Sequence, residues 1–276
     1  MTFPWPRNLP RFLFLVFLSC FVFRGLLHAA TPIDLDDLAA RFAAEIDKAG
    51  VESVAVVDFN ADGERPSDLG WYLANKLSDS LVIKGAARKV VDRARLQELG
   101  LASDSSPSAG TLKQIGAASG ADAIVSGRIE ITSDKYLLTI TLVKIGDGST
   151  IASVTHPLPH SRMLDLLSPS GANAASINAA RAGVSGVGVP ACAYCPAPAY
   201  SGRVRITQMQ TVELLVTISA AGTAEKISVI HSPGYILTER AVETVSEWRF
   251  RPAPGKDGTP VPVAVPIDVT FKASRT

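Results

Sequence analysis

The last part of the chain has an apolar pattern that constrains the fold more than any other feature. Residues 212–218 alternate apolar and polar side chains, and residues 224–231 repeat the alternation after an Ala-Gly turn. Side chains of a strand point alternately to opposite faces, so both segments predict half-buried strands joined in a hairpin. Residues 261–271 alternate in the same way. They predict a third strand that closes a small sheet.

A helix is predicted between the hairpin and the closing strand. Apolar residues recur there at spacings of three or four, which places them on one side of a helix, and Pro252 ends the helical stretch. The segment shows no pattern typical of a nucleophile, a metal site or a phosphate loop, so we predict no catalytic residue, no metal ligand and no cofactor. The residues expected in the core of this unit are Leu237, Ala241, Val245, Trp248 and Phe250.

Prolines in the closing strand predict that it lies at the edge of its sheet. Pro262 and Pro266 have no N–H to donate to a neighbouring strand. An open edge can accept a strand from another protein. The predicted partner-binding edge consists of Val261, Val263, Val265, Ile267, Val269 and Phe271.

These features resemble the C-terminal domain of TonB-family energy transducers over roughly 200–273. The order of elements is the same, and two motifs, Trp248–Phe250 and Pro260–Val263, make the resemblance specific. The resemblance implies a small ββαβ domain that docks on partner proteins and also pairs as a homodimer. In the transducers the partner is an outer-membrane receptor, captured by strand addition.

The first thirty residues resemble a secretory signal. Arg7 and Arg11 precede an apolar run at residues 12–23, which is shorter than the roughly 18 residues of a spanning helix. We therefore expect a cleaved signal over 1–30 and a periplasmic location in a Gram-negative-type bacterium. Two alternatives stay open: an uncleaved anchor in the inner membrane, and a lipoprotein attached through Cys20.

Residues 31–162 predict an α/β domain with a mixed sheet and a C-terminal hairpin. Helical and strand patterns alternate along this region, and Gly146–Gly148 supplies a turn signal between two strands. Motifs at 54–59, 90–96 and 120–129 resemble the periplasmic domains of the curli-secretion lipoprotein, of FlgO-like flagellar-assembly lipoproteins and of the TolB N-terminal domain. The resemblance implies envelope assembly and protein contacts, without catalytic residues. The pore activity of curli secretion is not transferred, because no pore-forming hairpins are visible.

A linker is predicted at 163–199. Between Asp165 and Arg203 the only charged side chain is Arg181, and small residues and proline dominate. Such a composition lacks the apolar bulk of a core, so we expect a flexible connection that lets the two domains move independently. The second domain then covers 200–276, and the whole chain falls in the α+β class.

Cys192 and Cys195 form a C-x-x-C pair inside this linker. A redox role needs a helix that starts at the pair to lower a thiol pKa, and prolines surround the motif instead. A metal site needs two further ligands. We therefore favour a structural disulfide, within the chain or between chains, over a reduced pair, a redox pair or a metal site.

Charge excludes one class of partner. The chain has 27 basic and 26 acidic side chains, and removal of residues 1–30 leaves 24 basic against 26 acidic. This balance gives no electrostatic basis for binding nucleic acid. The sequence therefore predicts a non-catalytic envelope protein whose partners are envelope proteins, an outer-membrane receptor or assembly component among them. The alternatives are a membrane-anchored TonB-type energy transducer and a thiol-disulfide protein using Cys192 and Cys195.

Overall fold

The computed structural model describes residues 35–61, 67–87, 89–102, 108–169, 179–198, 206 and 208–272. It has the mixed helix and strand content of the predicted α+β class. The helices are α1 Asp36–Lys48, α2 Asp68–Lys84, α3 Arg93–Glu98, α4 Ala109–Ser119, α5 Arg162–Leu167 and α6 Tyr235–Glu247. The strands are β1 Ser53–Val56, β2 Asn60–Ala61, β3 Lys89–Val90, β4 Ala123–Ile131, β5 Lys135–Lys144, β6 Thr150–Pro159, β7 Ala180–Arg181, β8 Ala191–Tyr194, β9 Gln210–Ile218, β10 Ala224–His231, β11 Arg249–Arg251, β12 Ala253–Pro254, β13 Pro260–Val261 and β14 Val263–Phe271.

The first sheet is mixed, as the sequence predicts. Its order is β3-β1-β4-β5-β6, with the short β2 also paired to β4. β1 is parallel to both of its neighbours, whereas β4, β5 and β6 are antiparallel. Along β1 the side chains alternate between two apolar clusters: Val54 and Val56 enter the larger one, and Ala55 enters the smaller one with α3 and α4. Helices therefore cover both faces at the parallel end of the sheet.

Helix α2 begins and ends at residues that are typical of helix caps, and it buries one apolar side. Its N-cap Ser67 accepts a hydrogen bond from the backbone N–H of Gly70 at 3.0 Å. A side chain at Gly70 would collide with the backbone of Phe59, since a Cβ there would lie 1.7 Å from that carbonyl oxygen. Gly85 ends the helix in the left-handed conformation, with φ of 67°. A stripe of leucines spaced four residues apart along this helix is fully buried at Leu69, Leu73, Leu77 and Leu81.

The second sheet contains the predicted ββαβ unit. Its order is β10-β9-β14-β7, with β9 antiparallel to both β10 and β14. Helix α6 buries Leu237, Ala241 and Val245. Trp248 and Phe250 are half-buried and pack against this core, with their ring centroids 6.1 Å apart. The predicted core residues thus lie together, with the two aromatic rings at its border.

The segment predicted as a linker is folded where the structure describes it. Helix α5 buries Leu164, Leu166 and Leu167. Further on, β7 pairs with β14, and β8 pairs with β11. This differs from the expected flexible connection for two reasons: the leucines supply apolar bulk, and strand pairing uses backbone groups that small residues and proline-flanked segments still possess.

The two halves also contact each other, within the single compact unit Pro32–Thr276. Helix α5 packs on β10 and α6, and α2 packs on α6. The Arg162 guanidinium donates to the carbonyl oxygen of Ser246 at 2.7 Å. These contacts differ from the expected independent movement, because apolar and polar groups of both halves are complementary. The predicted signal at 1–30 lies outside the described residues, within which no helix is long and apolar enough to cross a membrane.

Candidate functional site

The closing strand β14 is paired on one side along its whole length. β9 runs antiparallel to it from Val263 to Phe271. On the other side β7 pairs in parallel, and only with Val263 and Ala264. The predicted edge residue Val261 does not belong here, because it lies in β13 and pairs with Ala253. Pro262, which separates β13 from β14, has no N–H to continue one ladder through both strands.

The outer edge of β14, meaning its side away from β9, presents the backbone of every second residue. The N–H of Ala182 donates to the carbonyl oxygen of Ala264 at 3.3 Å, so the backbone of Ala264 points outward. Because backbone groups alternate in direction along a strand, those of Pro266, Asp268 and Thr270 also point outward. In the described part of the chain no strand pairs with residues 265–270 on this side. Pro266 satisfies the rule that proline occupies an edge position whose N–H is not needed.

The predicted edge residues support the strand from within. Side chains of Val263, Val265, Val269 and Phe271 are buried, and Ile267 is half-buried. The side chains that a partner would meet are the alternate ones: Pro266, Asp268 and Thr270 are exposed. The edge residues predicted from the sequence are therefore the inward-facing positions of β14. The two prolines were the available signal, because Pro266 itself marks the outward set.

A shallow apolar groove adjoins this edge. It has a volume of about 330 Å³. One wall comes from the segment between β7 and β8, and the other from the inner face of the sheet near Phe250. Its lining residues are Ala182, Val189, Pro190, Ile218, Phe250, Val265, Pro266 and Ile267. The groove is therefore formed by the residues predicted as linker together with the residues predicted as edge.

Cys192 and Cys195 are joined by a disulfide in the structure. Cys192 lies in β8, which pairs with β11, and Cys195 follows directly after that strand. The indole N–H of Trp248 donates to the carbonyl oxygen of Pro196 at 3.0 Å. Neither cysteine starts a helix, so the local geometry lacks the helix N-terminus that lowers a thiol pKa. The bridge directly follows the segment that forms one wall of the groove.

A larger pocket, of about 640 Å³, lies between the two halves. Trp71 of α2 and Tyr235 of α6 meet edge to face, with ring centroids 5.8 Å apart. Glu239 accepts hydrogen bonds from Lys76 at 2.9 Å and from the Tyr72 hydroxyl at 3.3 Å. Burial and the negative charge of Glu239 raise the pKa of Tyr72. Sequence reasoning missed this junction, although two aromatic residues beside the leucine stripe of α2 could have indicated a second contact surface.

A buried charged network lies beside that pocket. The Arg93 guanidinium donates to the Asp58 carboxylate, to Asn75 Oδ1 at 3.0 Å and to the carbonyl oxygen of Val56 at 2.5 Å. Burial lowers the pKa of Arg93, and Asp58 opposes that shift. Every group of the network has a partner inside the fold, so we assign it to stability. Among the residues that the structure describes, no group of three or more His, Cys, Asp or Glu side chains could hold a metal.

Comparison with solved structures gives remote similarities. The LpoB C-terminal domain from Escherichia coli is 18% identical, with a TM-score of 0.36, and the match covers 46% of this chain and 99% of that one. The corresponding domain from Salmonella enterica is 16% identical, with a TM-score of 0.33, over 43% of this chain and 95% of that one. Lipoprotein GNA1162 from Neisseria meningitidis is 17% identical, with a TM-score of 0.32, over 45% and 86%. No curated protein sequence matches the chain.

The family comparison matches the segment that carries the edge. Residues 196–273 match the model described as Gram-negative bacterial TonB protein C-terminal. The match begins just after the disulfide and ends just after β14. It supports the expected TonB-type C-terminal domain and, at a coarse level, an envelope protein that contacts other proteins. In this part of its length the chain is similar to the C-terminal domain of the Gram-negative bacterial TonB protein.

Proposed function

We propose that this chain is a non-catalytic periplasmic protein that captures a segment of a partner protein as an added strand on the outer edge of β14. The observation that supports this best is the run 265–270, which is paired to β9 on one side and to no described strand on the other. Unpaired backbone groups in an exposed strand bind another strand readily. The partner on this proposal is an outer-membrane receptor or an assembly component of the envelope.

The role of the first half is to hold the edge domain in place. Contacts from α2 and α5 to α6 and β10 fix the second sheet relative to the first. An added strand gains affinity when the edge that receives it is already ordered, since less conformational entropy is lost on binding. This arrangement favours an adaptor over an energy transducer with a long extended spacer. The thiol-disulfide alternative gains no support, because Cys192 lies in a paired strand and neither cysteine starts a helix that would lower a thiol pKa.

Replacement of Thr270 by proline tests the proposal. The Thr270 N–H points outward, so Thr270→Pro removes one donor of the outer edge and blocks close approach of a strand, while the backbone bonds to β9 remain. Both this variant and the control below lose the hydroxyl contact of Thr270 with Thr211 of β9, at 3.3 Å. The control Thr270→Ala keeps that N–H and loses only the side chain. We expect photo-crosslinks from a probe at position 268 to an envelope protein to disappear in Thr270→Pro and to persist in Thr270→Ala. Equal crosslinking by both variants, with both folded, would contradict strand addition.

Fractionation of the same cells tests the location. We expect the mature chain in the soluble periplasmic fraction, beginning near residue 30. A chain that keeps Arg7 and Arg11 and stays in the inner membrane would favour the energy-transducer alternative.

A further inference from the structure

The outer edge of β14 has a charged face and an apolar face. We propose that the strand captured there alternates basic and apolar residues, with a basic side chain beside Asp268 and an apolar side chain in the groove next to Ile267. The inference rests on the proposed strand addition and specifies the chemistry of the partner. Backbone pairing provides affinity for any strand, whereas side-chain positions on the two faces provide selectivity.

The charged face is the solvent side of the sheet. Glu213 of β9 and Asp268 of β14 are directly opposite each other in register, and both are exposed. Side chains at such positions have Cβ atoms about 4.5–5.5 Å apart, so two carboxylates there repel each other. No ion pair to either carboxylate is present among the described residues, and the next register position along the sheet holds His231. A cation from an added strand, on the same face as Asp268, would relieve this repulsion.

The apolar face leads into the groove. β7 pairs with Val263 and Ala264, and the chain then turns away from β14 to form the groove wall with Val189. An added strand along 266–270 therefore begins where the pairing of β7 ends. The residues of that strand that flank the basic position point to the opposite face, towards Ile267. Val189 is 65% exposed, so an apolar side chain placed there would cover surface that is now in contact with water.

The same charges disfavour a second copy of this chain on the edge. Antiparallel pairing of β14 with its own copy, centred on Asp268, would place the two Asp268 carboxylates opposite each other. Glu213 of each copy would lie on the same face, one strand further out. Four carboxylates in one row oppose association. The occupant is therefore a different protein with basic residues at alternate positions.

Three seven-residue peptides test this chemistry on the full chain. Their sequences alternate valine with lysine, valine with glutamate, and serine with lysine, and binding is measured by fluorescence anisotropy at low salt. We expect the valine-lysine peptide to bind about tenfold more tightly than either of the others, because it alone matches both faces.

Two substitutions assign the selectivity to its faces. Asp268→Lys is expected to reverse the preference between the lysine and glutamate peptides, whereas Glu98→Lys, the same charge change on exposed α3, leaves it unchanged. Val189→Asp is expected to weaken the valine-lysine peptide several-fold relative to the serine-lysine peptide. Val184→Asp is the matched control, because Val184 is 49% exposed and lies outside the groove.

The peptide experiments distinguish failure of the proposed side-chain selectivity from failure of strand addition itself. Equal binding of all three peptides that Thr270→Pro abolishes would overturn the inference and leave strand addition intact. Lysine-dependent binding that survives in Thr270→Pro would be attraction to surface charge and would also overturn it. Failure of every peptide to bind would count against both the inference and the strand addition on which it rests.

Discussion

Single buried residues decide whether the first half of this protein is stable. Arg93 and Asp58 have side chains that are 5% and 7% exposed, and they form an ion pair at the ends of β3 and β1. The desolvation of two charges is offset only while each has the other, together with the bonds to Asn75 and to the Val56 carbonyl. The motif at 90–96, which the sequence analysis singled out, therefore contains a residue that stabilises the fold.

Removal of one partner of this pair should be costly. We expect Asp58→Ala to lower the free energy of unfolding by about 3–5 kcal/mol, since it leaves the Arg93 charge buried without its carboxylate. Urea denaturation measures the change. The exposed Glu98→Ala should change stability by less than about 0.5 kcal/mol. If Asp58→Leu combined with Arg93→Met were no more stable than Asp58→Ala, an unpaired charge would not be the cause.

At the scale of elements, α5 connects the two halves and is held by a histidine. His160 Nδ1 lies 2.7 Å from Asp165 Oδ1, and its Nε2 lies 3.2 Å from the carbonyl oxygen of Thr132. Both neighbours are acceptors, so only the protonated ring can donate to both. The bond to Asp165 is the largest cause that raises the pKa of His160 above its ordinary value of 6.5, and Asp134 adds to it. Tyr136 shares the Asp165 carboxylate, with its hydroxyl 2.7 Å away.

This histidine predicts a pH dependence of stability. A pKa raised by folding means that the contribution of His160 is complete below about pH 6.5 and is lost as pH rises through the folded pKa. His160 is partly exposed, so the loss should not exceed about 1 kcal/mol. Urea unfolding between about pH 5.5 and 8.5 should show this decline in the natural chain and not in His160→Gln. The exposed His231→Gln should retain it. The same decline in His160→Gln would assign the effect to another group.

At the scale of the whole molecule, the contacts between the two halves determine whether they unfold together. Trp71 lies in the first half at the junction, and Trp248 lies in the second half beside β8. Glu239 joins the halves through Tyr72 and Lys76. These contacts, with the buried leucines of α5, favour a single cooperative transition.

Tryptophan fluorescence tests this cooperativity. In a chain that also carries Trp5→Phe, we expect Trp71→Phe and Trp248→Phe, each leaving one reporter in the other half, to give coincident urea midpoints. Glu239→Ala should lower stability by about 1–2 kcal/mol, because it removes two partly buried hydrogen bonds across the junction. Glu243→Ala, on the same helix, removes an ion pair with the partly exposed Arg240 and should have little effect. Separate midpoints for the two single-reporter variants would show that the halves unfold independently.

The local pattern of apolar and polar side chains was enough to determine the main helices and strands of this protein. The leucine stripe of α2, the alternation of β9, β10 and β14, and the glycine turn between β5 and β6 are consequences of side-chain periodicity, which a sequence displays directly. The α+β class and the ββαβ unit of the second sheet follow from the order of these elements. Pro266 likewise predicted an edge strand, because the missing N–H is a property of the residue itself.

Only the tertiary structure decided how those elements meet. The contact of α6 with α2, the packing of α5 between the halves, and the groove formed by residues 182–190 depend on pairs of groups far apart in the chain. A low-complexity composition suggested a linker at 163–199, but burial of Leu164 and pairing of β7 are set by neighbours that no local window contains. The outward direction of Asp268 follows from the register with β9, and that register was needed to identify the surface that a partner would contact.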